Sequence, residues 1–164
     1  MTDYKTAIKE GIKAAQQVDW AKREIDEVFK QLNQQLTEFF KGKIVIQRRS
    51  IERTKSVEEL FSSPFGSTLK YDAIVALNTT IPDSKPRELA SWSMDKMGYP
   101  CRISWIGQEH FCEDKEALEN TLSMLLKEPF VGQVLSVLSK LEPKNENTKN
   151  KKPPLASNPD SSNT

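Results

Sequence analysis

The chain has 164 residues, of which 24 are basic, 23 are acidic and 37% are hydrophobic. This length suits one domain with a core plus extensions, and the balanced charge excludes a global field that would attract nucleic acid or an acidic membrane. The two cysteines cannot form a disulfide framework. Because the sequence lacks the apolar run of a signal peptide or a membrane span, we expect a soluble, cytoplasmic protein with no membrane contact.

The first forty residues have the pattern of one long amphipathic helix. Mostly apolar or small side chains, with one lysine, recur at alternating spacings of four and three. This is a heptad seam of the coiled-coil type, and no proline interrupts it. The seam consists of Tyr4, Ile8, Gly11, Ala15, Val18, Lys22, Ile25, Phe29, Leu32, Leu36 and Phe39. We therefore predict a helical unit over residues 1–42.

The two halves of this helix differ in the size of their seam residues. Large side chains occur mainly in 25–40, and burying each of them contributes about 1.5–3 kcal/mol, so this half is expected to dock on the rest of the chain. Residues 4–22 have smaller or charged seam residues and are expected to project, to pair with another copy, or to lie loosely on the same surface. Alternatively, the whole helix covers one face of a sheet.

The next segment combines a strand with a short helix. Gly42 is a good helix stop, and residues 43–51 are rich in β-branched side chains, which predicts a strand. Ser56 and Glu59 have the spacing of a capping box, so a short helix should follow, ending near Phe61.

Further strands are predicted by apolar runs and by alternation. Residues 71–77 are apolar on both faces and predict a central strand, whereas two later stretches alternate around a turn at Gly98, as in a hairpin with one buried face. Those stretches are 89–94 and 101–106, with 110–112 as a short continuation.

The C-terminal third changes to a helical period. Leucine-rich patterns predict two helices on either side of Pro129, and the composition then becomes polar, so residues 143–164 are expected to be disordered. The predicted fold is α+β, with a core domain over 43–142. Its sheet should have about four mostly antiparallel strands and helices on one face.

Few residues of the sequence have the types and spacings that a catalytic or metal site requires. His110 is the one histidine and lies two residues before Cys112, a spacing that on a strand places the two side chains about 7 Å apart. The neighbouring acids suit a helix start better than a closed set of metal ligands. A metal-dependent enzyme with its site near His110 is the third functional hypothesis, and no cofactor is predicted.

A basic stretch over 41–55 supports the second hypothesis, a nucleic-acid-associated accessory protein. Arg48, Arg49 and Arg53 are its candidate phosphate ligands. The alternative interpretation is a charged edge strand that discourages pairing between sheets.

The first hypothesis is a non-catalytic protein-interaction module that self-associates or binds a protein partner through its long helix. Small immunity-type proteins and accessory subunits have this general profile, an analogy at the level of class. Trp20 lies off the seam, where a tryptophan is a plausible contact residue. The candidate partner-binding residues are Tyr4, Ile8, Ala15, Val18 and Trp20.

Overall fold

The computed structural model of the protein describes residues 1–144. The elements in this part of the chain are α1 (Tyr4–Phe40), β1 (Ile44–Thr54), α2 (Val57–Ser62), β2 (Thr68–Asn78), β3 (Arg87–Asp95), β4 (Gly98–Trp105), β5 (Gln108–Cys112), α3 (Lys115–Leu126) and α4 (Pro129–Lys140). All strands join one antiparallel sheet in the order β1-β2-β3-β4-β5. The predicted α+β class, with a long N-terminal helix and two C-terminal helices, is confirmed. The predicted disordered tail lies, from residue 145 onward, outside the described residues.

The sheet has five strands where about four were predicted, because the chain reverses after β4. Ile106 and Gly107 both have positive φ, at 49° and 71°. Two consecutive residues of this kind form the tight turn that suits the twist of an antiparallel hairpin. The short continuation expected at 110–112 is therefore a separate strand, and Cys112 pairs with Cys101 across it.

The main core lies between one face of the sheet and the helices α1, α3 and α4. Its fully buried side chains include Ile25 from α1, Ile74 and Ile103 from the sheet, and Leu118 and Val131 from the C-terminal helices. The opposite face has a smaller apolar cluster whose members all belong to β1 and β2. Helices therefore cover one face of the sheet, as predicted from the alternating strands.

Asn33 fixes α1 to the outer edge of β1. Its side-chain amide donates a hydrogen bond to the carbonyl of Ile46 at 2.7 Å, and its side-chain oxygen accepts one from the N–H of Ile46 at 2.8 Å. The carboxamide thus pairs with the strand edge as a neighbouring strand would. It satisfies both backbone groups of Ile46 and blocks further strand pairing there.

The buried side of α1 departs from the strict heptad at its C-terminal end. Phe39, the last seam residue, is 79% exposed, whereas Phe40 packs against the core. A straight helix has 3.6 residues per turn and drifts by about 20° per heptad from a 3.5-residue repeat. By the end of α1 this drift has moved the docked face by one residue.

Strand direction and the contacts of α1 define an upper end of the sheet. At the upper end β1 ends at Thr54 and β4 begins at Gly98. The helix α1 contacts Gly98 through Ala21, and twelve residues later it contacts the first part of β1 through Asn33. The helix therefore descends along the sheet, and its residues before Ala21 extend past the upper end.

Candidate functional site

The most exposed apolar surface that the sequence singled out is the N-terminal part of α1, residues 4–20, which we call the arm. Within it Tyr4, Ile8 and Ile12 are 72%, 62% and 56% exposed. At about 1.5 Å per residue the arm is about 25 Å long, and Val18 near its base is half-buried. Large apolar side chains that are exposed together on one side of a helix are typical of a surface that binds a partner.

The base of the arm is set by a close contact between α1 and the turn that joins β3 to β4. Ala21 is buried, and a Cβ atom added to Gly98 would lie 2.7 Å from the Cβ of Ala21. One turn further along, the hydroxyl of Tyr99 donates a hydrogen bond to the carboxylate of Glu24 at 3.1 Å. Burial, followed by the hydrogen bond to Glu24, raises the pKa of Tyr99 above its ordinary value, so the hydroxyl stays protonated and keeps donating.

The free end of the arm is capped. The side chain of Asp3 accepts hydrogen bonds from the backbone N–H groups of Lys5 at 3.1 Å and Thr6 at 3.3 Å. Hydrogen bonds from the hydroxyl and the N–H of Thr6 hold the pKa of Asp3 below its ordinary value. The carboxylate is therefore ionised at neutral pH and satisfies N–H groups that an exposed helix end would leave free.

The arm has one apolar side and one polar side. At about 100° per residue, the predicted contact residues Tyr4, Ile8, Ala15 and Val18 lie on one side together with Gly11 and Ile12, and we call these six residues the arm stripe. Trp20 is 64% exposed and lies about 140° around the helix from Ala15, on the polar side. A helix packed along the stripe would therefore meet four of the five predicted residues.

The predicted basic site is not a set of free cations. Arg48 bonds the carboxylate of Asp26 and lies over the rings of Phe29 and Trp92. Arg53 forms two hydrogen bonds with the carboxylate of Glu59, at 2.8 Å and 2.6 Å.

The Arg53 pair also affects its acid partner. The guanidinium lowers the pKa of Glu59 to about 2. Arg49 is exposed and lies on the sheet face opposite to Arg48, as alternation along a strand requires. Two of the three arginines thus serve within the chain to hold α1 and α2, and Arg49 is the one that faces outward.

The surroundings of His110 are those of a packed side chain. Its ring stacks on Trp105 with 4.1 Å between centroids, and its Nε2 atom is buried without a hydrogen-bond partner. The thiol of Cys112 donates to the hydroxyl of Thr121 at 3.4 Å. In residues 1–144 no three histidine, cysteine or acidic side chains come together as metal ligands.

Sequence reasoning missed two features of the upper end. Ile12 lies outside the strict heptad, yet it continues the row of Tyr4 and Ile8 at a spacing of four residues. The other is an exposed apolar group at the tip of the β1–β2 hairpin, where Phe61 and Phe65 are 86% and 90% exposed. Propensity did not distinguish these phenylalanines from core residues, because their exposure depends on where α2 is held.

No helix in the described part of the chain is both long enough and apolar enough to cross a membrane. Comparisons with protein-family models, with curated proteins and with solved structures found no match.

Proposed function

We propose that the protein is a non-catalytic protein-interaction module that binds a helix of a protein partner through its arm. One observation carries this proposal: α1 continues as an ordered, capped helix over residues 4–20, and Tyr4, Ile8 and Ile12 on its apolar side are exposed to solvent. The docked half of α1 nucleates this helix, which removes the nucleation penalty that an isolated helix of this length faces.

The composition of the arm stripe supports a helical partner. Gly11 and Ala15 are small and lie between the larger Ile8 and Val18, so another helix can approach closely there and place its own side chains over them. A strand or an extended peptide would not follow a row that repeats every three or four residues.

Site-specific photo-crosslinking in cells that produce the protein natively tests this proposal. A photoreactive amino acid at Ile8, on the arm stripe, should give one discrete crosslinked species that mass spectrometry identifies. The same amino acid at Gln17 is the matched control, because Gln17 lies on the polar side of the same exposed helix. Equal crosslinking from both positions, or none from position 8, would overturn the proposal.

A further inference from the structure

We infer that the partner of the arm is a second copy of this chain, paired antiparallel and centred on Ile12. This inference rests on the proposed function and names the partner and the direction of pairing. Residue 12 is the midpoint of the arm, residues 4–20, and is itself 56% exposed. Two arms that cross antiparallel at this point overlap along their whole exposed length and end where each helix docks on its own sheet.

The charges beside the arm stripe are self-complementary in this arrangement. Lys5, Ile12 and Asp19 are spaced by seven residues and therefore lie along one flank of the stripe. In an antiparallel pair the same flank of both helices meets. A pair centred on residue 12 thus brings Lys5 of each copy close to Asp19 of the other and places Ile12 against Ile12.

A parallel pair lacks these contacts. There the flank with Lys5 and Asp19 would face the other flank of the second helix, whose corresponding residues are Ala7, Ala14 and Ala21. No charge in that set could pair with either residue. The distribution of charge on the arm therefore favours the antiparallel direction.

Steric exclusion favours the same direction. From Ala21 onward the docked side of α1 is occupied by the chain's own sheet and helices. A second arm that ran parallel and in register would carry its own sheet into this space. An antiparallel arm instead ends at the upper end of the sheet, at the level of the contact between Ala21 and Gly98.

The amount of apolar surface is suited to a reversible dimer. Each arm would bury Tyr4, Ile8, Ile12 and Val18, and the small residues between them permit close packing without adding much area. A pair of helices about 25 Å long lies at the low end of specific interfaces. We therefore expect a dissociation constant in the micromolar range, with exchange of subunits on mixing.

Sedimentation equilibrium of the full chain measures the association. The unaltered chain should form dimers, Ile12→Glu should raise the dissociation constant at least about 100-fold because both copies lose the central contact, and Gln17→Glu should leave it unchanged. The control adds the same charge to the same helix on its polar side. Circular dichroism of each variant confirms that the fold is retained. A chain that stays monomeric at millimolar concentration would overturn the inference.

A charge swap tests the direction. Lys5→Asp and Asp19→Lys should each weaken the dimer about 5- to 30-fold at low salt, and the two changes in one chain should restore it. If the doubly changed chain is weaker than either single variant, Lys5 and Asp19 do not meet and the antiparallel register is wrong.

Crosslinking gives an independent measure of register. With a short bis-maleimide, Ile12→Cys should crosslink to itself, Lys5→Cys should not, and a mixture of Lys5→Cys with Asp19→Cys should. The native Cys101 and Cys112 are buried, and burial raises the pKa of both thiols, so the unaltered chain serves as the unreactive control. Self-crosslinking of Lys5→Cys would exclude the antiparallel pair.

The two proposals fail separately. If position 8 crosslinks to a different protein in cells while the purified chain remains monomeric, the arm binds a partner but the partner is not a second copy. If position 8 gives no crosslink in cells and the chain is monomeric, both proposals are wrong.

Discussion

Removing the side-chain amide of Asn33 tests how α1 is held on the sheet. Asn33 bonds both the N–H and the carbonyl of Ile46 at the outer edge of β1, at 2.8 Å and 2.7 Å. In Asn33→Ala both bonds disappear, and the N–H and carbonyl of Ile46 lose their side-chain partner. Each such bond contributes about 0.5–1.5 kcal/mol, and an unsatisfied partner adds to the loss.

The expected net change is a decrease of about 1.5–2.5 kcal/mol in the free energy of unfolding. The two lost bonds contribute about 1 to 1.5 kcal/mol each, and the better helix propensity of alanine offsets about 0.6 kcal/mol of this loss. Urea unfolding followed by circular dichroism measures the change, with the denaturant slope unaltered if the folded and unfolded states keep their surfaces.

Gln34→Ala is the matched control, because Gln34 is exposed and adjacent on the same helix. Its effect should stay within about 0.5 kcal/mol of the unaltered chain. Amide hydrogen exchange gives a local readout: the N–H of Ile46 should lose protection in Asn33→Ala and keep it in Gln34→Ala. If Asn33→Ala is as stable as the control and Ile46 stays protected, the amide does not fix α1 to β1.

Two further predictions concern the upper end of the sheet. Gly98→Ala should destabilise the fold by about 2 to 5 kcal/mol, because the new Cβ would lie 2.7 Å from the Cβ of Ala21 and because a φ of 95° is unfavourable for alanine. Adding Ala21→Gly should recover part of this loss of stability, as measured by thermal unfolding. If it recovers nothing, backbone strain alone is responsible. Hydrogen bonds to Arg53 are the main cause that lowers the pKa of Glu59 from 4.5 to about 2. The ionised Glu59 therefore stabilises the folded state above pH 4.5, and this stabilisation is lost as the pH falls toward 2. Carboxyl chemical shifts should show Glu59 titrating near pH 2 and moving upward in Arg53→Gln, whereas an unchanged midpoint would mean that the guanidinium is not the cause.

Several features of the fold followed from local sequence patterns. The heptad spacing indicated one long helix, and Gly42 and the Ser56–Glu59 capping box are local signals whose chemistry depends on residues within one or two turns. Alternation of apolar and polar side chains indicated strands with one buried face. Such signals can be read from the sequence because they depend on hydrogen bonds between residues close in the chain and on a fixed periodicity. Contacts between distant residues are not needed to recognise them.

Parts of the candidate site also followed from the sequence. The change from small to large seam residues along α1 pointed to its N-terminal half as the region free to meet a partner. The interval of seven between Lys5, Ile12 and Asp19 is likewise present in the sequence. The pairing that we propose for these residues also depends on the limits of the arm, residues 4–20, because its midpoint is set by where docking begins.

The tertiary structure alone decided which side chains met. Arg48 and Arg53 belong to a basic run in the sequence, yet each is paired with an acid of the same chain. Arg48 bonds Asp26, which is 22 residues away along the chain, and Arg53 bonds Glu59. The base of the arm depends on a contact between Ala21 and Gly98, which no local pattern encodes. Composition and periodicity determined the elements, and the packing of residues distant in sequence determined how much of the first helix remained exposed.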